Sequence, residues 1–426
     1  MISRILTFAF FCSALQVFAG DTIRLSIQDC YKIINNHCLM LKNIQYNHQI
    51  SQIRLENLKK AFYPTLDLNG QASYQSDVVS INVSIPQMGN LDFPSASKDQ
   101  FKATLDLNQI IYDGGMNKLQ RKIEEENSKN EICNLEIQVY QLKDRVSQTY
   151  FMMLMLDAKE RILNVAMNDL KSKRNQIATG VKNGISLQVN QDLIDAEILK
   201  IQQQIIENNE GRQLAAKTLE LIMDTSFQSY ILPAIPVNSI QQDAPNNRSE
   251  LKYYDLQSSK FQLFENSTYC KRRPKIISFA QIGYGKPGLM MISNKWDSYY
   301  IIGAKITWNL WDWNQNKNER QIYKIQSEMI KTQKSIFQQN LDISMEKEFN
   351  EIEKLEKLIE KDYEIVAIRK KITKSYSTQL DNGIINSSEY TTQVNAEAQA
   401  LLNLELHLLM KQQAFNNVIY LKGNAK

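Results

Sequence analysis

The chain has 426 residues, 43% hydrophobic and 23% charged, with 50 Lys and Arg against 46 Asp and Glu and a net charge of +4. Charges of both signs are interleaved, as on solvated helix faces, which argues against a nucleic-acid partner. Its histidines, His37, His48 and His407, are scattered without metal-ligand spacing, so no metal or other cofactor is expected.

At the start, Arg4 precedes an apolar run over residues 5–11, then small residues and Val17-Phe18-Ala19 ahead of Gly20. A positive start, a short apolar run and a small-residue cleavage site describe a secretory signal peptide, expected at residues 1–19. Cys12 lacks the context of a lipid anchor. Beyond this leader the longest apolar run, residues 151–156, is six residues, far short of the eighteen or so of a membrane-spanning helix. Cys30, Cys38, Cys133 and Cys270 are expected as free, packed thiols. Cys30 and Cys38 fall on one predicted helix about 12 Å apart, too far to bridge.

The first predicted helix runs from Ser26 to about Phe62, with Ser26 and Asp29 in capping-box spacing. After Pro64 the hydrophobic period switches from 3.6 to 2. Leu66, Leu68, Gly70, Ala72 and Tyr74 share one face, and Phe101, Ala103, Leu105 and Leu107 repeat the alternation on a partner strand. From Met116 to Thr179 there is neither Gly nor Pro. That predicts a helix of some sixty residues, roughly 90–100 Å long. Its apolar stripe, including Leu142, Val146, Met153, Leu163, Leu170 and Ile177, has coiled-coil-like spacing. At Asn183-Gly184 the chain can turn through a left-handed residue into a returning helix.

The same order then recurs. Asn183-Gly184-Ile185 and Asn382-Gly383-Ile384 lie 199 residues apart, and that offset also places Tyr112-Asp113 on Trp311-Asp312. The expected organisation is a first repeat over 20–245 and a second over 246–426. The first holds a helix, a β-hairpin at 64–112, a long helix pair at 116–223 and a segment at 224–245. The second holds a helix, a β-hairpin at 274–310 and a long helix pair at 314–422. The fold class is therefore mainly α with a small membrane β part, internally duplicated. Four strands cannot close a barrel alone, and an open edge in lipid costs several kcal/mol for each unsatisfied group. Copies of the chain are expected to pool their strands. Tyr112, Trp308, Trp311 and Trp313, at the strand ends, fit a membrane-interface girdle. No phosphate loop, nucleophile set or metal spacing suggests an enzyme.

Leu25-Ser26-Ile27, Phe62-Tyr63-Pro64-Thr65-Leu66, Gln109-Ile110-Ile111-Tyr112-Asp113-Gly114-Gly115, its second copy Trp308-Asn309-Leu310-Trp311-Asp312, and Asn247-Arg248-Ser249-Glu250-Leu251 together resemble the TolC-type outer-membrane factor family. The resemblance spans the chain beyond its leader. It implies a homotrimer whose twelve strands form one β-barrel in the outer membrane of a Gram-negative bacterium, above an α-barrel of helix hairpins reaching into the periplasm. It implies a segment wrapping the waist of that tube at 224–245. The partners it implies are a periplasmic adaptor protein, an inner-membrane transporter and outer-membrane lipid. The function is then a passive conduit for efflux or for polypeptide secretion, with a periplasmic coiled-coil adaptor as the alternative. Asn183, Gly184, Ile185, Asn382, Gly383 and Ile384 map to the adaptor-docking tip. Asp192, Asp195 and Glu389 are candidates for a pore constriction, with a solvated outer face as the alternative for each. Two departures from the family pattern are Trp313-Asn314 in place of glycines and Ser249 in place of proline.

Overall fold

The computed structural model describes residues 23–79, 82–85, 89–92, 95, 97–226, 230–233, 246–290 and 293–425. The expected signal peptide, and much of the 224–245 segment, lie outside the described residues. In chain order the elements are β1 (Ile23–Arg24), α1 (Ile27–His37), α2 (Met40–Lys60), β2 (Thr65–Tyr74), β3 (Asn82–Ile85), β4 (Gly89–Asp92), β5 (Asp99–Tyr112), α3 (Met116–Lys182) and α4 (Gln188–Met223). They continue with β6 (Tyr230–Ile231), α5 (Ser249–Lys271), β7 (Lys275–Lys286), β8 (Asp297–Thr307), α6 (Gln315–Asp381) and α7 (Ser387–Leu421). The chain divides into a helical unit (residues 1–41, 138–247 and 341–426) and a sheet unit (residues 42–137 and 248–340).

The single helix expected from 26 to 62 is two. The capping box forms at α1, where the Ser26 hydroxyl accepts from the Asp29 N–H and the Asp29 carboxylate accepts from the Ser26 N–H, both at 3.2 Å. At Cys38 the backbone turns extended (φ −63°, ψ 131°) and caps α1, its N–H still donating to the Ile34 carbonyl. Cys30, Cys38, Cys133 and Cys270 are free and buried.

In the helical unit, the main core gathers Leu25, Ile27, Tyr31 and Ile34 of the N-terminal segment with Val146, Tyr150, Phe151 and Met153 of α3 and Leu219 and Met223 of α4. A second core joins Leu163, Leu170 and Ile177 of α3 to Ile194, Ile198 and Ile201 of α4 and to Tyr390 and Val394 of α7. Val146, Met153, Leu163, Leu170 and Ile177 belong to the stripe read from sequence, whereas Tyr150 and Phe151 do not. Spacing of three, four and seven keeps the stripe on one face, so every turn adds burial without a bend.

In the sheet unit, four antiparallel strands run in the order β2-β5-β7-β8. The central pair, β5 and β7, joins the two sequence repeats; β2 and β8 are the edges. A separate β3-β4 hairpin lies in the connection from β2 to β5, an element the sequence did not reveal. Its strands are four residues each.

Candidate functional site

Register decides what each face of the sheet can do. Leu66, Leu107, Ala280 and Ile302 form one row across the four strands, and Leu68, Leu105, Ile282 and Tyr300 form the next. Side chains alternate along a strand, so these rows share a face. That face is apolar and open: Leu68 is 79% exposed and Ile302 75%. On the opposite face the row is Asp67, Asp106, Gln281 and Ile301, and beside it Asn69, Thr104, Gly283 and Tyr299. The Asp106 carboxylate organises this face. It accepts from Asn69 Nδ2 at 2.6 Å, Thr104 Oγ1 at 2.9 Å and Gln281 Nε2 at 2.5 Å. Where this face lacks side chains, aromatic rings cover the backbone. A Cβ on Gly283 would strike the Tyr299 ring and one on Gly303 the Phe279 ring, at 2.2 and 2.7 Å. A water-facing, hydrogen-bonded side backed by a bare apolar one is what a membrane strand presents.

Aromatics mark both ends of the apolar rows. At the helix end, Trp308 donates through Nε1 to the Arg272 carbonyl at 2.9 Å, and Trp311 and Trp313 meet edge to face at 5.7 Å. All three, and Tyr112, are exposed. At the far end Trp296 stacks on Tyr284 (5.3 Å) and lies 6.0 Å from Phe101, beside exposed Tyr74 and Tyr300. This second belt was missed in the sequence, although Trp296 directly precedes β8. The registers Tyr284↔Ser298 and Ile276↔Ile306 put eight residues between the ends, about 27 Å along the strand at about 3.4 Å per residue.

Each repeat passes from strand to helix through one device. The Asp113 carboxylate accepts from the N–H groups of Gly115 and Asn117 at 2.8 and 2.5 Å. The Asp312 carboxylate accepts from those of Asn314 and Asn316, both at 3.1 Å. The two residues after each Asp are left-handed: Gly114 and Gly115 at φ 76° and 84°, Trp313 and Asn314 at φ 52° and 65°. The missing glycines therefore leave the turn unchanged.

In the helical unit, both hairpin tips close as Schellman turns. Ile185 N–H donates to the Gly180 carbonyl (2.8 Å) and Gly184 N–H to Val181 (3.0 Å); Ile384 donates to Gln379 (2.9 Å) and Gly383 to Leu380 (3.0 Å). Gly184 and Gly383 hold the left-handed position at φ 73° and 70°. The turns push apolar side chains outward, with Ile185 82% and Ile384 70% exposed, and Leu187 and Val189 are bare beside them. Asn183 and Asn382 are exposed as well.

The two tips are linked by polar contacts. The buried Lys173 ammonium meets the Asp381 carboxylate at 2.8 Å and lies 5.6 Å from the centre of the Tyr390 ring, whose phenol burial pushes up to about 12. Asn395 Nδ2 donates to Glu197 at 2.9 Å. Of the three acids singled out in sequence, Asp192 and Asp195 lie on α4 and Glu389 on α7. Asp195 is half-buried and engaged by Arg174 Nε at 2.9 Å, and Asp192 accepts from Gln188 at 2.8 Å. Glu389 is exposed in the first turn of α7, where its N–H donates to the Asn386 cap at 3.0 Å.

Residues 36–224 match the family model for outer membrane efflux proteins. That match spans a little under half of the chain. No curated protein sequence matches it. The fold is also that of solved channels. It matches the crystal structure of CusC at a TM-score of 0.70 and 12% identity, covering 96% of this chain and 95% of that one. It matches the Campylobacter jejuni CmeC outer membrane channel at 0.66 and 12%, covering 94% and 86%. The Neisseria gonorrhoeae MtrE outer membrane channel, in its open state, matches at 0.67 and 12%, covering 94% and 89%. At such low identity the likeness carries the fold, and the working parts of this chain must be read from its own residues.

Proposed function

We propose that three copies of this chain form a passive export duct in the outer membrane of a Gram-negative bacterium. Each gives four strands to a twelve-stranded barrel and its helix hairpins to a tube reaching into the periplasm. The observation that carries this reading is the sheet: an apolar, exposed face, a polar hydrogen-bonded face, and two edges, β2 and β8, with no partner strand among the described residues. Such edges are satisfied when β8 of one copy pairs with β2 of the next, which turns the apolar rows to lipid and the Asp106 network to the lumen. Among the described residues no helix is long and apolar enough to cross a membrane, so the span falls to the strands. Mass measurement of the detergent-solubilised protein is expected to give about three times the chain mass; a monomer contradicts the reading.

The exposed Ile185 and Ile384 tips are the docking surface for a periplasmic adaptor protein, which in turn joins an inner-membrane transporter. Ile185→Glu with Ile384→Glu is expected to abolish site-specific crosslinking to the adaptor while trimers persist. Unchanged crosslinking contradicts tip docking.

A further inference from the structure

Next to the helix-end aromatics, the sheet unit carries two adjoining pockets on either side of Tyr269. One, between the end of α5 and the start of α6, is lined by Arg272, Lys317 and Arg320 together with Leu310 and Trp311. The other, between α5 and the start of α3, is lined by Lys118, Lys122 and Arg273. Among the described residues, none of these six cations has a carboxylate within ion-pair distance. Neighbouring cations do, as with Lys271 on Glu319 (2.7 Å) and Arg54 on Glu124 (3.4 Å). Asp312 also borders the first pocket, but its oxygens already accept from the Asn314 and Asn316 backbones. Arg320 donates to the Tyr269 hydroxyl at 2.6 Å and Arg273 to the Gly114 carbonyl at 3.3 Å, so both guanidinium groups are positioned without being neutralised. In a chain with a net charge of only +4, six unpaired cations in one place are a concentrated field.

We propose that these pockets hold the phosphodiester headgroups of anionic phospholipids in the membrane leaflet nearest the helices. The assignment rests on the membrane reading of the sheet. Interfacial Trp side chains sit at headgroup depth, which puts the pockets level with lipid phosphates. Guanidinium forks and ammonium groups bind phosphate oxygens strongly, and exposed Leu310 and Trp311 offer apolar surface to the glycerol and upper acyl chain. Free phosphate would use only the cations. A zwitterionic headgroup would bring an ammonium group into a lining where Asp312, already engaged by the Asn314 and Asn316 N–H groups, faces three cations.

Native mass spectrometry of the intact detergent-solubilised particle tests this, with phosphatidylglycerol and phosphatidylethanolamine of identical acyl chains as probes. Phosphatidylglycerol is expected to be retained over phosphatidylethanolamine by about tenfold or more. Arg272→Gln with Lys317→Gln and Arg320→Gln should erase most of that preference at unchanged particle mass. Lys118→Gln with Lys122→Gln, on exposed side chains, reads the second pocket separately. Equal retention of the two lipids, or preference unchanged in both variants, overturns the proposal. Displacement of the lipid by millimolar inorganic phosphate also overturns it, in favour of a free-anion site. No lipid preference in the unaltered protein, with intact bilayer conductance, counts against the pockets alone, whereas absent conductance counts against the duct.

Discussion

The strand-to-helix junctions put one backbone shape on two different side-chain pairs, and this has measurable consequences at single residues. Left-handed geometry costs a residue with a Cβ about 1–2 kcal/mol. Gly114 avoids that cost and a second one, since a Cβ there would sit 2.8 Å from the Cys270 carbonyl oxygen and 3.0 Å from the Arg273 Cβ. Gly114→Ala is expected to destabilise by about 2–4 kcal/mol. Gly184→Ala, facing open space, should cost only about 1–2 kcal/mol. Asn314→Gly should stabilise by up to about 1 kcal/mol. Thermal dissociation midpoints of the three variants check this order, and equal costs at Gly114 and Gly184 would contradict it. A second expectation concerns the α1 cap. Hydrogen bonds from the Ser26 hydroxyl hold the Asp29 carboxyl below the usual carboxylate range, against an opposing effect of burial, with the Ser26 N–H and Lys32 adding smaller contributions. A depressed carboxylate stabilises fully above its unfolded pKa of about 3.9, and the contribution fades as pH falls through the lower folded value. Ser26→Ala should therefore cost about 1 kcal/mol at pH 7 and visibly less near pH 3. A penalty that stays constant across that range would rule out the charged contribution.

At the scale of elements, the sheet makes opposite demands on neighbouring residues. Leu68 and Asn69 are adjacent on β2 but face opposite sides. Leu68→Arg puts a charge on the apolar face, at a cost of about 2–4 kcal/mol near mid-membrane, and should deplete assembled particles in membranes. Asn69→Arg faces the polar side and should assemble while altering conductance. Equal assembly defects would contradict the two-faced assignment. Much of this sheet was legible in sequence because a period of two needs no knowledge of partners, and the long helices were legible because Gly and Pro are absent from them. The break at Cys38 was not, since no Pro or Gly marks it. Nor was the outer aromatic belt: Trp296 stacks with Tyr284 and Phe101 through strand register. The basic pockets were hidden for the same reason. Lys118 and Lys122 lie some 150 residues from Arg272 and Arg273 in the chain, so interleaved charge along the sequence becomes segregated charge only in the folded sheet unit.

For the whole molecule, internal duplication explains why one chain suffices to specify a repeating wall. Each half supplies a hairpin of strands, an aspartate-capped junction, a long helix, a glycine turn and a returning helix. The acids proposed for a constriction fit that symmetry poorly. Asp195 is tied to Arg174, whereas Asp192 and Glu389 stand exposed near the starts of α4 and α7. Their place relative to a lumen depends on neighbouring copies, a relation that single-chain spacing does not encode. The central claim, that pooled strands form an open passage, is tested most directly by single-channel recording of the purified protein in planar bilayers. Discrete, uniform conductance steps are expected, and they should change with Asn69→Arg on the polar face. A bilayer that stays silent, or current without discrete steps, would contradict the duct.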